Sequence, residues 1–208
     1  MTPDSGSHPA WSEPALSTSE AQPPRMQHDA GRVASWHPQL IQRAADVALA
    51  AMPIPLRVLD VGCGDGHLLS ELILRVPHAD SYVGVDPLPD VISAADRAAE
   101  PRLCLVRAAA EALPFASASF DLVVATMSMA YWPDQRAGVR ELARVATDNA
   151  KVIVVESSKR ESSHPNRART ASEVSQLLTS AGLHVEDTDT LRRSPLLRPL
   201  ARAFICSL

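Results

Sequence analysis

The sequence predicts an α/β fold built on a doubly wound, mostly parallel sheet of seven strands. After Leu56 the chain alternates between short runs rich in β-forming residues and stretches in which apolar residues recur at helical spacing. Most of the β-rich runs are continuously apolar, as expected for parallel strands that are buried on both faces. A glycine-rich loop also joins the first of these strands directly to a helix.

The predicted elements follow one another in a regular order. The first is a helix from Pro38 to Met52, because proline suits a first helical turn. The predicted strands are 57–61, 81–85, 103–108, 120–126, 150–156, 184–191 and 202–208. The further helices are 67–76, 89–99, 134–146 and 171–181, and Gly182 is the predicted C-terminal cap of the last one. The last two strands should pair antiparallel, because the connection between them is too short for a parallel crossover.

Composition bounds the domain organisation and the possible partners. The chain has 208 residues, of which 46% are hydrophobic and 21% charged, which is enough for a folded core. Residues 1–25 are rich in proline and serine and are predicted to form a flexible tail, which leaves 26–208 as a single domain. The 20 Lys and Arg residues against 24 Asp and Glu give a net charge of −4, so we do not expect a nucleic-acid partner.

Cysteine usage and hydropathy indicate the cellular compartment. Cys63, Cys104 and Cys206 are odd in number and lack the spacing of a zinc site, so neither a disulfide framework nor a metal is predicted. The most apolar stretch near the start is broken by Pro53 and Pro55 and is too short to cross a bilayer. No secretory signal is recognised, so we expect a cytoplasmic protein without membrane association, either a monomer or a homodimer.

The glycine-rich loop carries the clearest functional signal. Glycines let the backbone turn sharply and approach a ligand, and the following helix offers unpaired amides. The glycines are Gly62, Gly64 and Gly66. Because His67 follows directly, the spacing is GxGxG rather than the GxGxxG of dinucleotide-binding loops. Asp86 lies about 20 residues beyond the last glycine, where a carboxylate can accept hydrogen bonds from two ribose hydroxyls, so the pattern indicates a nucleoside.

Several segments in this order resemble the class I S-adenosylmethionine-dependent methyltransferases, particularly the small-molecule branch of quinone and natural-product enzymes. The segments are DVGCGDG, VGVDP, EALPFASASFDLVVA, MAYWPD and RELARVATDNAKVIVVE. The resemblance covers roughly residues 33–208 and implies a Rossmann-like fold, S-adenosylmethionine as cofactor and S-adenosylhomocysteine as product. Asp148, Asn149 and Ala150 stand where the family commonly has Pro-Gly-Gly before the fifth strand. Asn149 can still adopt a left-handed turn, so we expect the fold to be kept.

The resemblance implies a role for individual residues. Asp60 would accept a hydrogen bond from the methionyl ammonium, Asp86 would hold the ribose, and Thr126 and Met127 would lie near the methionine. The residues expected to contact the cofactor are Asp60, Gly62, Cys63, Gly64, Gly66, Asp86, Pro87, Leu88, Ala109, Ala110, Glu111, Thr126 and Met127.

At the adenine end, Pro87 and Leu88 would pack on the face of the base. The amide of Ala110 and the side chain of Glu111 would meet its edge. Ala109 stands where many relatives have an aspartate that receives the exocyclic amine, which predicts a weaker affinity for the cofactor.

Methyl transfer from a sulfonium is an in-line displacement with a neutral leaving group, so an enzyme contributes mainly by alignment and exclusion of water. A general base helps when the acceptor is a hydroxyl or an acidic carbon. His37, which precedes the first helix, and His164 are the two candidates for this base. The alternative for each is an exposed loop side chain without a catalytic role.

Two features near the predicted carboxyl edge of the sheet point to the acceptor. Basic residues cluster after the fifth and sixth strands: Lys159, Arg160, Arg167, Arg169, Arg192, Arg193 and Arg198. They suggest an acceptor with a carboxylate or phosphate, against the alternative of solvated loop charges. Tyr131 and Trp132 either line a pocket for a planar acceptor or pack the start of a helix.

The sequence leaves three candidate functions. The first is a methyltransferase that acts on a small-molecule acceptor. The second is a nonenzymatic, methyltransferase-like binding protein, to which the alanine at position 109 gives some weight. The third is an RNA methyltransferase, which the negative charge and the absence of an Asn-Pro-Pro-Tyr type of motif disfavour.

Overall fold

The computed structural model describes residues 38–88, 100–157, 170–192 and 199–208. Within these ranges the helices are α1 (Pro38–Ala51), α2 (His67–Arg75), α3 (Gln135–Val145) and α4 (Ala171–Ser180). The strands are β1 (Arg57–Val61), β2 (Ser81–Asp86), β3 (Leu103–Arg107), β4 (Phe120–Thr126), β5 (Ala146–Ser157), β6 (His184–Leu191) and β7 (Ala201–Ser207). The predicted tail 1–25 and the predicted helix 89–99 lie outside the described residues.

The strands form one sheet in the order β3-β2-β1-β4-β5-β7-β6. Neighbours from β3 to β5 are parallel, whereas β7 runs antiparallel to both β5 and β6, which confirms the predicted fold class. The chain leaves β3 at one edge and returns to place β4 beside β1. Ligands of such sheets bind outside the carboxyl ends of the strands, at the point where the strand order reverses. Here that point lies between β1 and β4.

Two apolar clusters cover the two faces of the sheet. Leu59 and Val61 of β1 pack in the cluster that includes α3 and α4, while Val58 packs in the cluster that includes α1 and α2. Successive side chains of a strand point to opposite faces, so a central parallel strand must be apolar throughout. Among the four buried residues of β1, Asp60 is the polar exception.

The predicted boundaries are close to the observed ones, with one correction. Asn149 does not form a left-handed turn, because β5 begins at Ala146 and runs through this position. Ala146 already pairs with Phe120, and the register between β4 and β5 then shifts before Leu122 pairs with Lys151. The additional residues are therefore absorbed as an irregularity within the strand. Gly182, with a φ of 89°, ends α4 as predicted.

Trp132 packs the start of a helix, which decides between the two interpretations of this side chain. It is 6% exposed and belongs to the apolar cluster that also contains Val139 and Leu142 of α3. A Cβ atom placed on Gly138 of α3 would lie 2.4 Å from Cε3 of this indole. Tyr131, its neighbour, is half-buried. Within the described ranges, no helix has the length and apolarity that a bilayer crossing requires.

Replacing Gly138 by alanine should destabilise the protein. Alanine is ordinarily the better helix former by about 1 kcal/mol, but here the methyl group overlaps the Trp132 ring, and overpacking typically costs about 1–3 kcal/mol. Urea denaturation of Gly138→Ala should show a lower midpoint than the wild type. Arg140→Ala, on an exposed position of the same helix, is the control and should change the midpoint little. A stabilised Gly138→Ala variant would contradict the tight packing.

Candidate functional site

The glycine loop turns back over the end of β2. The amides of Gly62 and Cys63 both donate to the carbonyl of Val85, at 2.7 and 3.0 Å. Gly62 has a φ of 75°, and a Cβ atom there would lie 2.3 Å from Cβ of Ser128. The loop therefore needs glycine both for its backbone conformation and for its contact with the loop after β4. Gly66, with a φ of 78°, is the N-cap residue of α2. Because glycine has no side chain, the N-cap residue offers no side-chain acceptor to the first amides of the helix.

Asp60 is a buried carboxylate with an unpartnered oxygen. It is 2% exposed, and among the described residues its Oδ1 atom has no hydrogen-bond partner. Burial, and to a lesser extent the charge of Asp86, raises the pKa of Asp60 to about 7. Burying an ionised group without a partner is costly. The site therefore offers a strong unsatisfied acceptor that a cationic group can pair with.

Asp86 joins the ends of β1 and β2. Its Oδ2 atom accepts a hydrogen bond from the amide of Gly64 at 3.1 Å, and its Oδ1 atom accepts one from the amide of Leu88 at 2.9 Å. Burial raises the pKa of this carboxyl, and the two amides act in the opposite direction. Each carboxylate oxygen retains a further acceptor position. Asp86 is thus held rigidly and can still accept two hydroxyl groups.

The loop after β4 lies directly against the glycine loop. The hydroxyl of Ser128 donates to the carbonyl of Val61 at 2.7 Å. Met127 adopts a φ of 56°, which is unusual for a residue with a side chain, and its amide donates to Val155 at 2.7 Å. Thr126 presents a buried Oγ1 atom without a partner among the described residues. Ser128 was not among the predicted site residues, and no sequence motif marks it.

The loop after β3 carries the three residues expected at the adenine end. Ala110 is buried, and Ala109 is exposed. The carboxylate of Glu111 accepts a hydrogen bond from the amide of Asp134 at 3.0 Å. This hydrogen bond fixes the position of one carboxylate oxygen, and the carboxylate keeps further acceptor positions.

Comparisons with known proteins agree with this geometry. Residues 58–149 match the family described as methyltransferase domain. This match, which spans less than half of the chain, identifies a methyltransferase domain in it. A demethylmenaquinone methyltransferase of Thermus thermophilus is 35% identical over 128 residues, which are 60% of this chain and 58% of that protein. The chain thus spans less than two thirds of the length of this relative.

Two solved structures share the fold of the methyltransferase domain. A SAM-dependent methyltransferase from Aquifex aeolicus has a TM-score of 0.72 at 17% identity, covering 86% of this chain and 98% of the other. The 1,6-didemethyltoxoflavin-N1-methyltransferase of Burkholderia thailandensis, solved with 1,6-didemethyltoxoflavin and S-adenosylhomocysteine, has a TM-score of 0.69 at 17% identity. It covers 86% of this chain and 82% of the other. At these identities the likeness shows the fold.

The remaining predicted site residues divide into two groups. His37, His164 and the basic residues after β5 lie outside the described residues of the methyltransferase domain, as do Arg193 and Arg198. Cys63 is buried, its Sγ atom lies 3.4 Å from the carbonyl oxygen of Gly64, and burial raises the pKa of the thiol, which favours its neutral form. The described residues include no group of three or more His, Cys, Asp or Glu side chains placed to hold a metal ion.

Glu156, at the carboxyl end of β5, is a further residue of the site that sequence reasoning missed. Its Oε1 atom accepts a hydrogen bond from the amide of Met129 at 3.1 Å. Burial raises its pKa to about 7, while the amides of Met129, Ser157 and Ala130 oppose the shift. The residue holds the loop after β4 from the neighbouring strand. A single glutamate at a strand end carries no signal that separates this role from an ordinary surface residue.

Without cofactor, Asp60→Asn should stabilise the methyltransferase domain above neutral pH. The folded pKa of about 7 lies above the unfolded value of about 3.9, so ionisation of Asp60 opposes folding. This cost is absent below about pH 4, grows between pH 4 and 7, and is complete above pH 7. The variant should therefore gain on the order of 3 kcal/mol at pH 8 and almost nothing near pH 4.

Urea denaturation of both proteins across this pH range measures the difference. Asp80→Asn is the control, because Asp80 is exposed, and its curve should parallel that of the wild type. If the curve of Asp60→Asn is also parallel to that of the wild type, Asp60 does not titrate as a buried, unpartnered carboxyl.

Proposed function

We propose that the protein is an S-adenosylmethionine-dependent methyltransferase that transfers a methyl group to a small-molecule acceptor by in-line displacement. The observation that carries the proposal is the buried Asp60 carboxylate, whose Oδ1 atom has no partner among the described residues and lies at the end of the strand that leads into the glycine loop. An ammonium group placed there would form a charge-assisted hydrogen bond with it. The methionyl ammonium of the cofactor supplies such a group.

The other residues of the site fit the rest of the cofactor. Asp86, held by two amides, has acceptor positions left for the two ribose hydroxyls. The cofactor lies on the loop that contains Gly62, Gly64 and Gly66, and its adenine packs against Pro87 and Leu88. The unpartnered hydroxyl of Thr126 supports a place for the methionine portion at the end of β4. Each of these residues lies at or just beyond the carboxyl end of a strand, which is where sheets of this kind bind their ligands.

Methyl transfer requires the protein mainly to position the two reactants. S-adenosylmethionine supplies a methyl group on a positively charged sulfur, which leaves as a neutral thioether. The site residues would align this group with the acceptor and keep water away. If the attacking atom carries a proton, a base must take it, and His37 and His164 remain the proposed candidates. The buried carboxylates on adjacent strands complement the cationic cofactor.

The acceptor in this proposal is a small anionic or aromatic molecule. The relatives are named for demethylmenaquinone and 1,6-didemethyltoxoflavin, which supports a small-molecule acceptor. The cluster of basic residues after the fifth and sixth strands supports an acidic group on it. The net charge of −4 argues against an RNA substrate. We propose a cytoplasmic location, and either a monomer or a homodimer.

Binding of S-adenosylhomocysteine should raise the melting temperature of the protein, whereas NAD should not. A ligand at 100 times its dissociation constant adds about 2.7 kcal/mol to the free energy of unfolding. Asp86→Ala should abolish the shift, because the variant loses the ribose acceptor and the contact with Gly64. Thermal denaturation with each ligand, monitored by circular dichroism, makes the comparison.

Asp121→Ala is a matched control for this experiment. Asp121 also accepts a hydrogen bond from a backbone amide, that of Arg57 at 3.1 Å, but it lies at the amino ends of β1 and β4. The control should melt earlier than the wild type and keep its shift with S-adenosylhomocysteine. A shift with NAD would contradict the proposed cofactor. No shift with either ligand in a folded sample would favour the nonenzymatic binding protein.

A further inference from the structure

Side chains and carbonyl groups of α3 form hydrogen bonds with the backbone of the loop between β3 and β4. We propose that Glu141 and Arg144 of α3 are positioning residues for cofactor recognition, which hold the backbone of this loop where it meets the adenine base. The inference rests on the proposed function and adds to it a mode of recognition and two residues that touch no ligand.

Glu141 and Arg144 bind the amide and the carbonyl of the same loop residue, Leu113. The Oε2 atom of Glu141 accepts a hydrogen bond from the amide of Leu113 at 2.8 Å. The Nη2 atom of Arg144 donates to the carbonyl of the same residue at 3.0 Å, and Nη1 donates to the carbonyl of Phe115 at 2.7 Å. The two side chains also bind each other, with 2.6 Å between Nε and Oε1 and 2.7 Å between Nη2 and Oε2. The guanidinium fork thus makes four contacts at once, which a lysine cannot reproduce.

The loop is attached to α3 at further points along the helix. At its start, Glu111 accepts from the amide of Asp134, the residue that caps α3. At its end, the amides of Ala118 and Ser119 donate to the carbonyls of Arg144 and Val145, at 3.0 and 2.8 Å. The loop has no secondary structure of its own at these positions, so α3 determines where its backbone lies.

The same loop begins beside the proposed ribose-binding carboxylate. Arg107, the last residue of β3, pairs with Asp86 in the sheet, and its Nε atom donates to the carbonyl of Pro87 at 3.2 Å. The chain therefore leaves the sheet at its carboxyl edge next to the proposed ribose site, and Ala109 and Ala110 follow two and three residues after Arg107. An adenine attached to that ribose would meet this part of the loop.

Two of the three side chains at this place offer no polar group to the base, because Ala109 and Ala110 carry only methyl groups. The third, Glu111, is fixed through its Oε1 atom by the amide of Asp134 of the α3 cap. Backbone amides and carbonyls are the polar groups that remain, and their direction depends on how the loop is held. Recognition of adenine in this chain should therefore depend on how Glu141 and Arg144 hold the loop.

The test measures the dissociation constants of two probes by isothermal titration calorimetry. The first is S-adenosylhomocysteine, and the second is 5′-methylthioadenosine, which keeps the adenine and ribose but lacks the amino-acid end. Arg144→Met should weaken both probes by roughly 10-fold. Arg144→Lys and Glu141→Gln keep part of the contacts and should weaken both by less. Asp60→Asn should weaken S-adenosylhomocysteine alone, because its proposed partner is the ammonium that the second probe lacks.

Arg57→Met is the matched control for stability. Arg57 makes the same kind of paired contact, with Asp121, through Nε at 3.1 Å and Nη2 at 2.8 Å. That pair lies at the amino edge of the sheet, so the control should melt earlier and bind both probes as the wild type does. Glu141→Gln keeps the test decisive if Arg144→Met does not fold.

The possible results separate the two proposals. If the wild type binds neither probe, the proposed function fails, and this inference fails with it. If the wild type binds but Arg144→Met and Glu141→Gln bind as tightly, the function stands and the inference is overturned. An equal loss of affinity in Arg57→Met would also overturn it, because the effect would then follow general stability. A loss confined to the Glu141 and Arg144 variants, equal for the two probes, supports it.

Discussion

The close approach of Gly62 to Ser128 is the contact on which the site depends. A Cβ atom on Gly62 would lie 2.3 Å from that of Ser128, so the loops after β1 and β4 can meet only because one of them carries a glycine. The hydroxyl of Ser128 then binds the carbonyl of Val61 at 2.7 Å and joins the two loops across 67 positions in the chain. Since the strand order reverses between β1 and β4, this contact forms one wall of the crevice in which a ligand of such a sheet binds.

The burial of Asp60 shows what this arrangement costs. A central parallel strand would be more stable with an apolar residue at that position, because burial raises the pKa of the carboxyl to about 7 and leaves one oxygen without a partner among the described residues. The neighbouring carboxylate of Asp86 adds to the cost by its charge. A cationic ligand removes both penalties at once, since it pairs with the ionised form. The stability lost in the free protein is in this way recovered as binding energy.

The sequence contains enough information for the sheet, the glycine loop and the two aspartates, because apolar runs, turn glycines and strand ends are local patterns. It does not contain an equally local signal for contacts between distant segments. Ser128 and Val61, Glu156 and Met129, and Glu111 and Asp134 are separated by 67, 27 and 23 positions. Asn149 shows the same limit, since a residue suited to a left-handed turn is drawn into β5 by the pairing of Ala146 with Phe120.

Side chains of α3 bind backbone groups of the loops after β3 and after β4, at the carboxyl edge of the sheet. Leu113 is bound at its amide by Glu141 and at its carbonyl by Arg144. Met129 is bound in the same way, at its amide by Glu156 of β5 and at its carbonyl by Gln135, whose Nε2 atom donates at 2.8 Å.

Glu141, Arg144 and Gln135 all belong to α3, whose own position is set where Trp132 packs on Gly138. Loop backbone groups that do not pair with a strand must find other partners. Here Glu141, Arg144 and Gln135 of α3 supply three of them, and Glu156 of β5 supplies another. The geometry of the cleft is therefore determined by residues behind it, which is why a motif found at the cleft describes only part of the site.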